Sequence, residues 1–234
     1  MEYNQFCPIA KASEILGEKW TILIIRELLM GSTRFSGLQR GLGFISPTLL
    51  SRRLELLNAR GLIYRKRISG QRGYEYFPTE SCKELLPILL SIGNWGMRWA
   101  RTNLSESDYD VELLMLYLER SILPESLPGK ETVLLFQFSD IPDAPDWWIV
   151  VTGNHVDVCT SDPGKDVDVY FNTSVKIMTD VWMEQLTYQK AIKDDLLIIT
   201  GPKILTKNIS SWLQSCVFTD LPVASDIVNS PGFH

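Results

Sequence analysis

Histidine is scarce in this sequence: His155 and His234 stand far apart, which leaves no zincin-type ligand pair and no obvious histidine acid–base dyad. The four cysteines, Cys7, Cys82, Cys159 and Cys216, include no Cys-x-x-Cys pair. That spacing argues against a zinc site or disulfide framework and for reduced thiols. Long apolar runs are missing as well. Thr21 to Met30 is broken by Arg26 and Glu27, well short of the roughly 20 apolar residues a membrane span needs. Met1-Glu2-Tyr3-Asn4-Gln5-Phe6 has neither the basic start nor the apolar stretch of a signal peptide, so a cytoplasmic location is expected. Phosphate-binding loops and Gly-x-Ser-x-Gly are absent, and Gly41-Leu42-Gly43 lacks the third glycine and leading strand of a dinucleotide fingerprint. Asp162, Asp166 and Asp168 surround Pro163-Gly164 without the closing Glu of an EF-hand and read as a solvated turn. No catalytic residue, cofactor or metal is therefore expected.

Charge is unevenly placed. Up to Arg101 there are 15 Lys and Arg against 8 Asp and Glu, leaving 8 against 20 of the chain's totals of 23 and 28. A positive first half can approach phosphate and release counterions, whereas the acidic remainder should face away from nucleic acid. With 234 residues, 45% of them hydrophobic, the chain can supply two modest cores. The expected division is 1–103 and 108–234, joined at the polar segment Ser105 to Asp108.

The segment that says most about function begins at Ile45. Ser46 suits an N-cap and Pro47 the first helical position, while Arg60-Gly61 marks a stop. Leu50, Leu54 and Leu57 form a buried stripe; Thr48, Ser51, Arg52 and Glu55 fall outward. Such a helix is roughly 22 Å long at 1.5 Å per residue, enough to lay two turns in a major groove. It leads into strands predicted at Leu62 to Ile68 and Tyr74 to Phe77, joined by Ser69-Gly70-Gln71-Arg72-Gly73 and charged by Arg65, Lys66, Arg67 and Arg72. Helices are predicted before it at Pro8 to Leu16, Lys19 to Met30 and Phe35 to Arg40, which together make a winged helix-turn-helix. After the wing, Thr79 is expected to cap a long helix through Arg101, unless Pro87 marks the first turn of a later start.

The remainder reads as an α+β domain with an antiparallel sheet covered by helices. Helix is expected at Tyr109 to Leu123 and strands at Thr132 to Phe138, Trp147 to Thr152 and His155 to Thr160, the last two joined by Gly153-Asn154. A strand through Val167, Val169 and Phe171 follows, then helices Thr173 to Leu186 and Tyr188 to Lys193, a strand Leu196 to Thr200, and a final helix to about Phe218.

The first hundred residues resemble the HxlR family of bacterial winged-helix regulators. The likeness rests on Cys7-Pro8, Gly17-Glu18-Lys19-Trp20-Thr21, Arg34-Phe35, Leu38, Ile45-Ser46, Leu49, Arg53-Leu54, Leu57, Gly61-Leu62-Ile63, Arg65, Glu75-Tyr76 and Trp95-Gly96 in family order. The sequence departs from the family at the wing tip, where Gly70-Gln71 replaces a Pro-Pro, and at Pro78, usually Leu. The resemblance implies a homodimer held by the first and last helices of this domain, with Ile9, Ala12, Leu89, Ile92, Trp95 and Trp99 as interface candidates. It also implies a double-stranded operator with half-sites about 34 Å apart. Cys7, at a helix start where unpaired amides favour negative charge, becomes a redox- or electrophile-sensing candidate; the alternative is a small residue at the dimer seam. The second half is similar, in the order of its elements, to the sterol-carrier-protein fold. That similarity implies an apolar cavity for a hydrophobic small-molecule effector, with Phe136, Phe138, Trp147, Trp148, Phe171 and Trp182 as lining candidates or plain core.

The function expected is a DNA-binding transcription regulator and not an enzyme. Ser46, Thr48, Ser51 and Arg52 would meet base edges, and Arg53, Arg65, Lys66, Arg67 and Arg72 would meet phosphates. The alternatives are an enzyme converting a hydrophobic ligand in the second half, or an interaction module that keeps the winged shape without DNA.

Overall fold

Proline at the first helical position forfeits no hydrogen bond, and both Pro8 and Pro47 open helices of the first unit. In the computed structural model, which describes residues 2–100, 104–141 and 146–219, α1 runs Pro8–Leu16, α2 Thr21–Leu29, α3 Phe35–Leu42 and α4 Pro47–Ala59. The antiparallel hairpin β1, Ile63–Arg67, and β2, Tyr74–Pro78, follows, then α5, Glu80–Lys83, and α6, Leu86–Trp99. Ile24, Ile25 and Leu28 of α2, Leu38 and Leu42 of α3, and Leu50, Leu54 and Leu57 of α4 form one buried cluster with Ile45, Ile63 and Cys82. The predicted leucine stripe of α4 is therefore its core face. One charged side chain joins this core: Glu27 is fully buried, accepting from the Arg26 guanidinium, which also donates to the Gly41 carbonyl at 2.9 Å.

The single long helix expected after the wing is two. Thr79 does not cap it; its hydroxyl lies 2.8 Å from the Gly61 carbonyl and 2.9 Å from that of Leu62, fastening the base of the hairpin. Helix stops at Lys83 and resumes at Leu86, so that Pro87 occupies the first turn of α6, where its missing amide and its restriction of the preceding residue are tolerated. The expected end at Arg101 lies outside the described residues. The chain divides into compact units Met1–Gly96 and Met97–His234, a seam within α6.

In the second unit the segment Ser105 to Asp108 is a capped 3-10 turn in which the Ser105 amide and hydroxyl both donate to Asp108 Oδ2 at 2.7 Å. Asp110 then caps α7, Val111–Ser121, by accepting from Leu113 N at 2.9 Å. The strands are β3, Glu131–Phe138, β4, Trp147–Thr152, β5, His155–Cys159, β6, Val169–Thr173, and β7, Ile198–Thr200. Gly153, at φ +58°, and Asn154 make the predicted two-residue turn between β4 and β5. Helices α8, Val175–Trp182, and α9, Tyr188–Lys193, are capped by Ser174 and Thr187.

The sheet order is β5-β4-β3-β6-β7, and it corrects the antiparallel expectation: β6 lies parallel to β3, so the sheet is mixed. Asp168 starts that pairing, its carboxylate accepting from Val133 N and its amide donating to Val133 O, both at 2.8 Å. The final helix to Phe218 is also corrected. A one-turn α10, Lys203–Thr206, and a 3-10 turn, Ile209–Ser211, precede an antiparallel bridge from Leu213 to Ile122. One sheet face, through Leu134, Phe136, Ile149, Val151, Val169 and Phe171, packs with Leu114, Met115 and Leu118 of α7 and Val175, Met178 and Val181 of α8.

Candidate nucleic-acid interface

The Ser46 hydroxyl accepts from Leu49 N at 3.3 Å, so the first turn of α4 is capped by its own N-terminal side chain. Burial of Leu50, Leu54 and Leu57 on one side turns Thr48, Ser51 and Arg52 to solvent. Thr48, Ser51 and Arg52 thus share the N-terminal half of one exposed helix face, and Ser46 is exposed at its N-cap. Gly61, at φ +71°, then reverses the chain into β1.

Side chains alternate across the hairpin, which divides its cations. Arg65 and Arg67 stand on the face that sends Ile63 into the core, and Lys66 stands on the other. Arg65 lies 4.5 Å above the Tyr74 ring, and Lys66 lies 5.1 Å from the Phe77 ring and 5.5 Å from that of Tyr64. Such contacts hold the cations over aromatic surface while leaving them exposed. At the tip, Arg67, Gly70, Gln71, Arg72 and Tyr74 line a concavity of about 530 Å³.

The wing is tied to the helices by residues to which sequence reasoning gave no structural role. Arg34 Nε meets Glu75 Oε1 at 3.1 Å, Arg34 Nη1 meets Gln71 Oε1 at 3.4 Å, and Tyr76 N donates to Thr33 O at 2.9 Å. The segment before α3 therefore acts as a short third partner of the hairpin. Only the family order placed Arg34 and Glu75 in one motif set; nothing local joins residues 41 apart in sequence.

Arg53 is placed differently from the other expected contacts. It pairs with Glu18, and only 15% of its side chain is exposed. The pair joins α4 to the turn before α2. Arg53→Ala should therefore lower stability by about 1.5–3 kcal/mol, the range of a charged hydrogen bond, and leave the salt dependence of DNA binding unchanged. Denaturant titration and a binding salt series check both parts; a slope falling by about one, with stability intact, would return Arg53 to the phosphate contacts.

Cys7 is half-buried at the N-cap of α1, and its side chain makes no capping bond. Cys82 is fully buried, and burial pushes its thiol up to about 11. Burial likewise raises the Cys216 thiol. At pH 8 roughly one Cys82 in a thousand would be thiolate. Iodoacetamide should modify native Cys7 well before Cys82 or Cys216; equal rates by mass spectrometry would contradict this packing. Of the dimer candidates, Ile9, Ile92, Trp95 and Trp99 are 76%, 47%, 62% and 43% exposed, and Ala12 is exposed. Leu89 instead packs against the first unit's core.

The aromatic set of the second unit is split. Phe136 and Phe171 are fully buried and stacked, with centroids 4.4 Å apart, and Trp212 meets Phe171 edge-on. Trp147 is buried in the same core, where Phe138 and Trp182 are partly buried; Trp182 stacks on Tyr117 and donates to Ser121 Oγ at 2.9 Å. Trp148 lies on the opposite sheet face, paired with Leu135 and Cys159. Asp162 closes the expected turn by accepting from Gly164 N at 2.8 Å. Among the described residues no three His, Cys, Asp or Glu side chains converge as a metal site, and no helix is long and apolar enough to cross a membrane. His234 lies outside the described residues.

Three core helices followed by a hairpin fastened to them define a winged helix-turn-helix domain. The sequence model of the HxlR-like helix-turn-helix family matches residues 15–104. YvaP of Bacillus subtilis, an uncharacterized HTH-type transcriptional regulator, is 38% identical over 101 residues, which cover 42% of this chain and 94% of YvaP. MT3179 of Mycobacterium tuberculosis, described in the same words, is 39% identical over 89 residues, 38% of this chain and 56% of that protein. Among solved structures, the reduced form of the transcriptional regulator YodB from B. subtilis is 25% identical over 39% of this chain and 92% of YodB, with a TM-score of 0.34. The chain belongs to the HxlR-like helix-turn-helix family, a family of transcription regulators.

Proposed function

We propose that the chain is a homodimeric transcription regulator whose first unit docks Ser46, Thr48, Ser51 and Arg52 against base edges of a pseudo-palindromic operator, while the wing cations meet phosphate. The observation that carries this reading is the exposed, hydroxyl- and guanidinium-bearing start of α4 beside a hairpin with four exposed cations. Exposed apolar side chains on α1 and α6 support a dimer, which sedimentation would test. Selection of enriched sequences from random duplex DNA, followed by a salt series, tests the whole reading. Enrichment of a two-fold-related site supports it; purely sequence-independent binding or none would favour an interaction module.

Control by a hydrophobic effector in the second unit is the regulatory part of this proposal, with Cys7 oxidation as the other route. Trp147 supports the effector: its indole nitrogen is buried in the apolar core and makes no hydrogen bond among the described residues. An acceptor on a small molecule could satisfy such a donor. Tryptophan fluorescence titrated with hydrophobic compounds tests this, and a Trp147→Phe protein should lose the response. Turnover of a bound compound would instead favour the enzyme alternative.

A further inference from the structure

Phe44 is 90% exposed, in a unit whose other large exposed apolar groups lie chiefly on α1 and the residues just before it, as Ile9 and Phe6, or on α6. Its position follows from its neighbours. Gly43 ends α3 at φ +59° and ψ −112°, a conformation L side chains rarely adopt, and turns the chain toward α4. Ile45 is then drawn into the core at 3% exposure, and Ser46 is extended at ψ 145° as the cap of α4. Ile45 is buried while Phe44 and Ser46 on either side of it are exposed, so Phe44 faces solvent just before the cap of α4. A phenyl ring is thus held in solvent at the reading end of α4, in the positively charged half of the chain.

We infer that Phe44 contacts DNA by packing on a thymine C5 methyl at the edge of each half-site. The inference rests on the operator-binding reading above and adds to it a residue that specifies sequence without a hydrogen bond. When the start of α4 enters the major groove, whatever projects beside Ser46 is carried to the groove with it. Hydroxyls and guanidinium there can meet polar base edges, but a phenyl ring can meet only an apolar one. In the major groove the apolar group that varies with sequence is the thymine methyl.

The contact has a signature separate from that of the cations. It neutralises no phosphate, so its loss changes affinity without changing the salt slope. The test uses the full chain and a duplex enriched by the wild-type protein, with binding followed by fluorescence anisotropy across a salt series. Phe44→Ala should weaken binding about tenfold, about 1.4 kcal/mol, at unchanged slope, and Phe44→Leu should recover much of the loss. Replacing the contacted thymine by deoxyuracil should cost the wild type several-fold and the alanine variant nothing. Because Phe44 is exposed, both variants should melt with the wild type. Equal affinity of wild type and Phe44→Ala, an unaltered deoxyuracil penalty, or a lowered melting temperature of the variants would each overturn the contact while leaving the regulator reading in place. If the wild type enriches no sequence, the regulator reading fails and takes the contact with it.

Discussion

Gly41→Ala should lower the stability of the first unit by about 3–5 kcal/mol, whereas the same substitution at Gly37, one turn earlier on α3, should raise it by up to about 1 kcal/mol. Both glycines lie within one helix, where alanine is ordinarily the better residue. What differs is what a methyl group would meet. At Gly37 its nearest neighbour is Ser32 Oγ at 3.9 Å; at Gly41 it would lie 3.0 Å from Glu27 Oε1 and overlap Oε2 and Cδ of the same carboxylate. Glu27 is fully buried, so it cannot swing out to water. Moving it would disturb a charged group whose pairing with Arg26 offsets its desolvation, and breaking a buried pair costs more than the lost contact alone.

A double-mutant cycle makes the cause measurable. In a Glu27→Ala background Gly41→Ala should cost far less than alone, because the carboxylate it would strike is gone. Arg26, 29% exposed at its side chain and donating also to the Gly41 carbonyl, can turn further toward water in that background. Denaturant titrations of the four proteins give the coupling. If Gly41→Ala stays within about 0.5 kcal/mol of wild type, or if the two substitutions simply add, the close approach of α2 and α3 is not what fixes Gly41.

This pair also shows what could be read from the sequence and what could not. The α4 cap, the leucine stripe, the hairpin and the Gly153-Asn154 turn were legible because each depends on neighbours within a few residues. Glu27 gave half a signal: an acid interrupting an apolar helix shows that something must compensate it, but not that the space comes from a glycine on the next helix. The mixed sheet was illegible for a similar reason. Parallel pairing of β6 with β3 depends on the loop before Asp168 returning to the far side of β3, and alternating residues look alike in either direction. Among site residues, exposure of Thr48, Ser51 and Arg52 followed from helical periodicity, and Ser46 was legible as the cap. Arg53 occupies a position where sequence alone offers no choice between phosphate and Glu18; in the fold it pairs with Glu18.

Replacing Arg65, Arg67 and Arg72 together with alanine should flatten the slope of log affinity against log salt by about 2–3 and weaken DNA binding at least about 100-fold at low salt, with any sequence preference retained. The hairpin register gives the grouping. Arg65 and Arg67 share the face that carries Ile63 to the core, whereas Lys66 belongs with Tyr64 and Phe77 on the other. A wing laid against one phosphate track uses one face and its tip. Lys66→Ala should then change the slope by less than any of the three arginines. Arg65 should contribute most from a preset position, because the Tyr74 ring beneath it restrains a side chain that would otherwise lose its freedom on binding. Tyr74→Ala, which keeps every charge, should weaken binding at unchanged slope. If Lys66→Ala alters the slope as much as Arg67→Ala, the wing straddles the backbone with both faces. If the triple variant leaves the slope intact, the wing cations do not neutralise phosphate, and binding depends on α4 alone.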